Sequence, residues 1–380
     1  MTQHYDTAIV GAGILGLAHA YHLARRGQRV LVFERNRCAM GASVRNFGMI
    51  WPIGQPAGSM YALAVHSRNL WVTVLKEAGI WHAECGSLHL AYRQDEAAVL
   101  EEFVALTRDH GQYSTLLSAR EVQQRAPAVR HEGLICALWS PTEVCVDPRE
   151  ALRLLPPFLH SRYGVHFEFD CAVVGYDAPT VHAGGKTWKA DRLIVCSGDD
   201  LQTLFPESMQ ALELTRCKLQ MLRSQPYGDT FRIGPMLAAG LTLRHYRAFQ
   251  NCPSLPVLKQ RIATETPEFD CYGIHVMASQ HGNGEITIGD SHEYDAAITP
   301  FNKEQIDNLI LDYLRSFLYV PDLRITSRWH GTYVKHPVLP WVTAHPADNV
   351  TIVTGAGGAG MTLSFGLAEK VATQILEETL

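Results

Sequence analysis

Tyr5-Asp6-Thr7-Ala8-Ile9-Val10-Gly11-Ala12-Gly13-Ile14-Leu15-Gly16 is the stretch on which the reading of the fold rests. An apolar run suited to a buried strand (Ala8 to Val10) passes directly into Gly-x-Gly-x-x-Gly. A helix-forming segment follows from Leu17 to Arg26, then a second apolar strand from Arg29 to Phe33 that ends in Glu34. Strand, glycines, helix, strand and terminal acid together describe a dinucleotide-binding unit. Gly11 allows the tight turn, Gly13 lets backbone approach a pyrophosphate, and Gly16 lets helix and strand pack closely. Ile14 and Leu15, inside the glycine motif, are counted with it as cofactor-binding, and the N-terminus of the helix that follows offers unpaired N–H groups to phosphates. Glu34 is placed to accept from a ribose hydroxyl, with Arg35 beside it. An acid there disfavours a 2′-phosphate, so the expectation is FAD or NAD, not NADP.

The bulk properties narrow the setting. A chain of 380 residues suggests two domains, and 47% hydrophobic with 19% charged residues describes an ordinary globular protein with ample core. The net charge of -5 and the lack of a basic run argue against nucleic acid or an anionic membrane as partner. The start, Met1 to Asp6, has no basic and apolar leader pattern, and no apolar run is long enough to span a bilayer. A cytoplasmic protein is expected. The nine cysteines are scattered without a Cys-x-x-Cys pair, so they read as free thiols in a reducing compartment. The 18 histidines show no metal spacing along the chain, and no metal is expected.

Residues 35 to 49, rich in small and polar types, read as a loop beside the dinucleotide. Ser59 to Ala78 reads as a helix stopped by Gly79, with Trp71 on its apolar stripe. Leu88 to Tyr92 reads as a strand and Asp95 to His110 as a helix. Ser118 and Glu121 have capping-box spacing, and Asp147-Pro148 supplies an N-cap and first-turn proline for a helix to about Arg162. Strands are expected at Val165 to Phe169, Cys171 to Tyr176 and Leu193 to Cys196, with a hairpin at Gly184-Gly185. From Leu214 onward, Lys218 to Leu222, Tyr272 to Ser279 and Glu285 to Gly289 show the alternation of an antiparallel sheet. Arg223 to Glu268 reads as a long functional loop between them. Asn302 to Tyr319 returns to helix.

The last segment repeats the first motif. Thr351 to Thr354 is an apolar strand, Gly355-Ala356-Gly357-Gly358-Ala359-Gly360-Met361 follows, and a helix runs from about Thr362 to Glu377. Such units at both ends imply a discontinuous nucleotide domain with an antiparallel domain inserted. Its expected parts are residues 1–82, 146–213 and 330–380, and the substrate domain is 83–145 and 214–329. The fold class is α/β: a Rossmann-like FAD-binding domain carrying an α+β substrate domain on a mostly antiparallel sheet.

Ile9 to Gly16 with Glu34, Val146-Asp147-Pro148-Arg149, Leu193 to Gly198 and Gly355 to Gly360 together resemble the D-amino-acid oxidase-like flavoprotein superfamily, in its glycine oxidase and sarcosine oxidase branch. The resemblance implies non-covalent FAD. Gly11, Gly13 and Gly16 would cradle its pyrophosphate and Glu34 its adenosine ribose. Ser43, Arg45 and Asn46 would line the stretch toward the flavin, Val173 would meet the adenine through its backbone, and Ser197 and Gly198 would flank the cofactor. Gly357, Gly358, Gly360 and Met361 would stabilise negative charge on the reduced ring, as a helix N-terminus can.

Two departures bear on chemistry. In Trp329-His330-Gly331-Thr332-Tyr333-Val334-Lys335-His336, Tyr333 stands where glycine oxidase-like enzymes place a carboxylate-binding arginine. In Ile286-Thr287-Ile288-Gly289, Thr287 stands where sarcosine oxidase-like enzymes place a lysine that promotes oxygen reduction. Gly41 to Gln55 and Gly234 to Phe249 are similar to a bacterial group associated with phosphonate breakdown. That similarity implies a small anionic amine as substrate, such as 2-aminoethylphosphonate or its N-methyl derivative, with oxygen or another electron acceptor. Arg244, Tyr246, Tyr333 and Lys335 are the substrate-binding candidates, each also readable as a surface or core-rim residue. His245, His275 and His336 are weaker candidates for assisting amine deprotonation. A glycine, sarcosine or D-amino-acid oxidase or dehydrogenase is the alternative. A nicotinamide-dependent flavin hydroxylase and a non-catalytic dinucleotide sensor are the rivals. Oligomeric state is not legible.

Overall fold

The computed structural model describes residues 4–295 and 298–377. The first strand, His4–Val10, is central because both its faces must be covered: Ala8 and Ile9 are wholly buried. It pairs in parallel with Val30–Phe33 on one side and with Lys186–Val195 on the other, Ala8 lying opposite Leu31 and Leu193. His166–Glu168 extends the first edge in parallel. The ten-residue strand Lys186–Val195 carries the hairpin strand Thr180–Ala183 on its first half and Val350–Thr354, in parallel, on its last. The hairpin turn is Gly184-Gly185 with φ of +59° and +72°, the conformation a two-residue primed turn demands. The C-terminal strand thus enters the same sheet as the first.

Helices cover one face, the one from Pro148 to Tyr163 among them through Leu152, Leu155 and Leu159. Ile14–Arg25, Ser59–Ala78 and Gly360–Glu377 share a core containing Leu17, Tyr21, Trp71, Leu75, Phe365 and Leu367. Trp71 is fully buried, as expected of a core residue, and also has a positioning contact. Its indole N–H donates to the Met361 carbonyl at 2.8 Å, and its ring meets Phe365 edge-on at 4.8 Å. Thr362 accepts the Trp51 N–H through Oγ1 at 2.9 Å. These bonds hold the first turn of the last helix in place.

The second sheet has nine strands and is antiparallel except where Met236–Ala239 runs alongside Ser87–Ala91. Its longest pairing joins Thr215–Ser224 to Ile325–Lys335, and the latter strand continues through position 330. Ile286–Gly289 and Met277–Gln280 form the hairpin expected around His281 to Gly284. The capping box at Ser118 and Glu121 and the Asp147 N-cap are both present. The helix expected from Asp95 spans Gln94–Thr107, followed by a 3₁₀ turn, and the one expected from Asn302 spans Glu304–Phe317.

Arg223 to Glu268 is not a long loop. It holds the strand Met236–Ala239, the short helix Gly240–Leu243 and the helix Leu255–Glu265. The helix buries Leu255, Leu258 and Ile262, spaced for one face, behind a proline in its first turn. The strand is only four apolar residues, too short for periodicity to reveal. Likewise, Tyr272 to Ser279 becomes strand only from Met277, because Pro267–Cys271 turns into a helix just before it.

Glu143 joins the parts. It is fully buried and its carboxylate accepts from Ile53 N at 3.0 Å, Thr142 Oγ1 at 2.8 Å and Ser87 Oγ at 3.0 Å. Burial pushes its pKa up, but these donors favour the charged form. Glu143→Ala strands three donors and is expected to lower stability by about 3 kcal/mol or more, measured as the shift of the urea unfolding midpoint.

Candidate active site

One cavity of about 310 Å³ runs from the first glycine turn to the second sheet. At one end it is lined by Gly11, Gly13, Ile14, Leu15, Glu34, Arg35 and Val173. In the middle lie Ser43, Arg45, Asn46, Ser197 and Gly198, and at the far end Gly357, Gly358, Gly360 and Met361. The residues that the sequence assigned to the cofactor therefore converge, although they come from distant segments. Gly16 does not line the cavity. A Cβ there would stand 1.9 Å from the Gly11 carbonyl oxygen, so its role is to let helix and turn cross. Gly11 has φ of +99°, and a Cβ on it would meet the Cys196 carbonyl at 2.4 Å.

The local bonds explain the loop residues. Ser43 Oγ accepts the Ile14 N–H at 3.0 Å. Asn46 donates to the carbonyls of Ala42 and Ser43 and accepts from Gly48 N, so its side chain shapes the loop. Arg45 donates to the His330 carbonyl at 3.3 Å, and Trp329 Nε1 donates back to the Arg45 carbonyl at 3.1 Å. Glu34 does more than present an acceptor. Its Oε2 takes the Ala12 N–H at 3.1 Å, and its Oε1 takes both the N–H and the side-chain amide of Asn36. Arg35 is ion-paired with Asp200.

Of the four substrate-binding candidates, the fold brings two to the cavity. Tyr246 and Tyr333 line it. A Cβ on Gly358 would lie 3.9 Å from the Tyr333 hydroxyl, which places that hydroxyl beside the start of the last helix. Burial pushes both tyrosine hydroxyls up from their ordinary pKa, so both are donors at neutral pH. Lys335 lies outside the lining, with Nζ 3.8 Å from the centre of the Tyr294 ring.

Arg244 also lies outside the lining. Its guanidinium donates to the carbonyls of Leu241, Ile274 and Phe269 at 2.9–3.0 Å and pairs with Asp270. Those carbonyls belong to segments that the sequence leaves unconnected, so the arginine's structural use was not visible there. His336 accepts from Val338 N and Leu339 N in a surface turn, away from the lining.

A group not assembled by the sequence completes the far chamber. His245, His275, Asp290 and His292 line it beside Leu219, Met221 and Phe47. Burial, then neighbouring positive charge, holds the His245 and His275 rings well below the ordinary imidazole pKa. His292 is pushed down to about 3, chiefly by burial, and burial raises the Asp290 carboxyl well above its usual range. A signal was present in Gly289-Asp290-Ser291-His292, a polar run issuing directly from an apolar strand, but its partners lie far away in the chain. Thr287 donates to or accepts from His281 at 2.8 Å and does not line the cavity.

Comparison with known proteins decides the family. Residues 6–374 match the DAO family, described as FAD dependent oxidoreductase. The chain belongs to it. Its cofactor is FAD. Among curated relatives, it is 32% identical over 212 residues to a glycine oxidase of Geobacillus kaustophilus, covering 52% of this chain and 55% of that protein. It is 23% identical over 203 residues to a monomeric sarcosine oxidase of Bacillus sp., covering 52% of each. The chain spans about half the length of the curated relatives it matches. The fold is that of L-proline dehydrogenase from P. horikoshii, at a TM-score of 0.79 and 18% identity over 100% of this chain and 95% of that one. It is also that of the solved glycine oxidase from Geobacillus kaustophilus, at 0.78 and 19% over 99% and 95%. Among the described residues, no helix is long and apolar enough to cross a membrane.

Two substitutions separate these roles. Gly16→Ala forces the first helix off its turn and is expected to yield protein with little bound flavin, read from the 450 nm absorbance relative to total protein. Arg244→Met is expected to lower the unfolding midpoint by the loss of about 2 kcal/mol or more, since it leaves three carbonyls without a donor. The substrate KM of the folded variant should stay within about twofold of the parent, because no substrate contact is removed.

Proposed function

We propose that the protein oxidises the C–N bond of a small amine carrying an anionic group, and that an aminoalkylphosphonate such as 2-aminoethylphosphonate or its N-methyl derivative is the substrate. The observation that carries the reading is the far chamber, enclosed by the second sheet and facing the N-terminus of the last helix, with Tyr333 in place of an inward arginine. A planar carboxylate favours a bidentate arginine, whereas a tetrahedral head can be met by several separate donors. The Tyr246 and Tyr333 hydroxyls are such donors. The similarity of residues 41–55 and 234–249 to flavoproteins of phosphonate breakdown supports the same substrate class.

The lining fits FAD by its donor set. Gly13, the N-cap of the first helix, makes no side-chain capping bond, and no acidic residue stands in the first turn of either glycine-led helix. Both N-termini open on the one cavity, where they favour negative charge. We assign Gly11, Gly13, Ile14 and Leu15 to the pyrophosphate and Glu34 to the ribose. Val173 goes to the adenine, and Gly357 to Met361 to the ring. When bound, FAD supplies the two-electron acceptor that amine oxidation requires.

The chain's own residues orient and desolvate the amine. Leu219, Met221 and Phe47 present apolar surface, and removing water from an amine favours its neutral, oxidisable form. The amine loses two electrons and two protons to become an imine. Water then splits the imine to a carbonyl compound and ammonia, or methylamine where the substrate carries an N-methyl group. No side chain needs to act as catalytic acid or base, because positioning carries much of the barrier.

Anaerobic mixing of the yellow protein with candidate amines tests the reading. Bleaching at 450 nm by 2-aminoethylphosphonate or its N-methyl derivative is expected. Bleaching by glycine, sarcosine or D-amino acids and by no aminophosphonate sinks the phosphonate reading. Bleaching by NADH alone would instead indicate the hydroxylase. Because Thr287 is turned to His281 and no lysine stands in its place, reoxidation by oxygen is expected to be slower than by an artificial dye acceptor, measured by stopped flow.

A further inference from the structure

We infer that His245, His275 and His292 form a binding site for a divalent transition-metal ion, with the Asp290 carboxylate beside them to orient the His275 ring. One ligating atom from each histidine lies within 4.8 Å of the other two. The three come from separate turns, those of His275 and His292 joined by backbone bonds and that of His245 tied to them by the Arg244 side chain on the Ile274 and Phe269 carbonyls. His275 N donates to the Asp290 carbonyl at 3.2 Å and Asp290 N donates back at 2.8 Å. His292 N donates to the Tyr272 carbonyl at 2.8 Å, and His245 N to the Thr242 carbonyl at 3.0 Å.

The polar accounting of the site is incomplete without a ligand. His275 is 2% exposed and neither of its ring nitrogens has a hydrogen-bond partner. Asp290 Oδ1, in a residue 4% exposed, has none either, although His275 Nε2 lies 3.2 Å from it. Buried polar atoms are seldom left so, and a ligand seated between the rings would give these three atoms a common partner. His292 also has the orientation that metal sites use. Its Nδ1 lies 3.2 Å from the Gly273 carbonyl, which can only accept, so Nδ1 carries the proton and the Nε2 lone pair is left for a ligand. Gly273 makes room for that contact, since a Cβ on it would stand 2.9 Å from the His292 Cβ.

Three imidazoles suit zinc, and also nickel or cobalt, better than magnesium or calcium. The rings are still apart, with centroids at 4.0, 4.2 and 4.9 Å and partly stacked. Zinc–nitrogen bonds of about 2.0–2.1 Å would draw the ligand atoms to about 3.4 Å from each other, which side-chain rotation can supply. A cation at this wall would also give the chamber the positive charge that an anionic substrate head calls for. That consequence rests on the proposed substrate; the metal site does not.

The test uses the flavin-loaded full chain without an affinity tag, incubated with zinc, desalted and analysed for metal by mass spectrometry. About one zinc per chain is expected, falling to background in His275→Ala and His292→Ala while flavin content and spectrum stay those of the parent. Asp290→Asn should weaken zinc affinity about tenfold or more in a competition titration with a chelating dye. Parent protein that retains no zinc, nickel or cobalt overturns the inference. So does retention that is the same in both histidine variants. Either result would leave the imidazoles as a hydrogen-bonding wall. Neither depends on which amine bleaches the flavin.

Discussion

The rest of the structure depends on how closely the chain passes itself at the first glycine turn. Gly16 crosses the Gly11 carbonyl where a Cβ would stand at 1.9 Å, and Gly11 passes the Cys196 carbonyl where one would stand at 2.4 Å. No other residue type permits both crossings. They seat the first helix against the central strand and bring its N-terminus to the cavity. They also fix the end of the strand Lys186–Val195, on which the C-terminal strand is then built. The second helix N-terminus reaches the same cavity only because that strand pairing returns it there.

The far chamber is made differently. Its walls are the ends of sheet strands and the turns that leave them, so its polar groups owe their positions to the register of antiparallel pairing. Tyr333 is set opposite Cys217 by the long pairing of Thr215–Ser224 with Ile325–Lys335. Asp290 and His292 follow the strand that pairs with Met277–Gln280. A residue slip in either pairing would turn these side chains to the opposite face. The far chamber is therefore held by the second sheet, while the other end of the cavity is held by the glycine turns.

What was legible follows from that division. Gly11, Gly13 and Gly357 to Gly360 could be placed on one cavity because tight backbone turns leave glycines at fixed local spacing, and Glu34 because it ends the strand next to them. The capping box at Ser118, the Asp147 cap and the Gly184-Gly185 hairpin were legible for the same reason, since each is a local bond with a local signature. Arg244 misled because an arginine in a polar, aromatic segment looks the same whether it faces a ligand or three backbone carbonyls. The helix Leu255–Glu265 was hidden inside a proline-rich stretch whose apolar residues only one face explains.

By itself, the sequence determined the fold class, the kind of cofactor and the small residues at the two glycine turns. Those depend on contacts within a few residues, or on the absence of a side chain. Only the tertiary structure decided that Tyr246 and Tyr333 face the cavity while Arg244 and Lys335 do not. It alone brought His245, His275, Asp290 and His292 together. The physical reason is that these positions are set by strand register and packing between distant segments, and no local pattern records which face of a sheet will be turned toward a ligand.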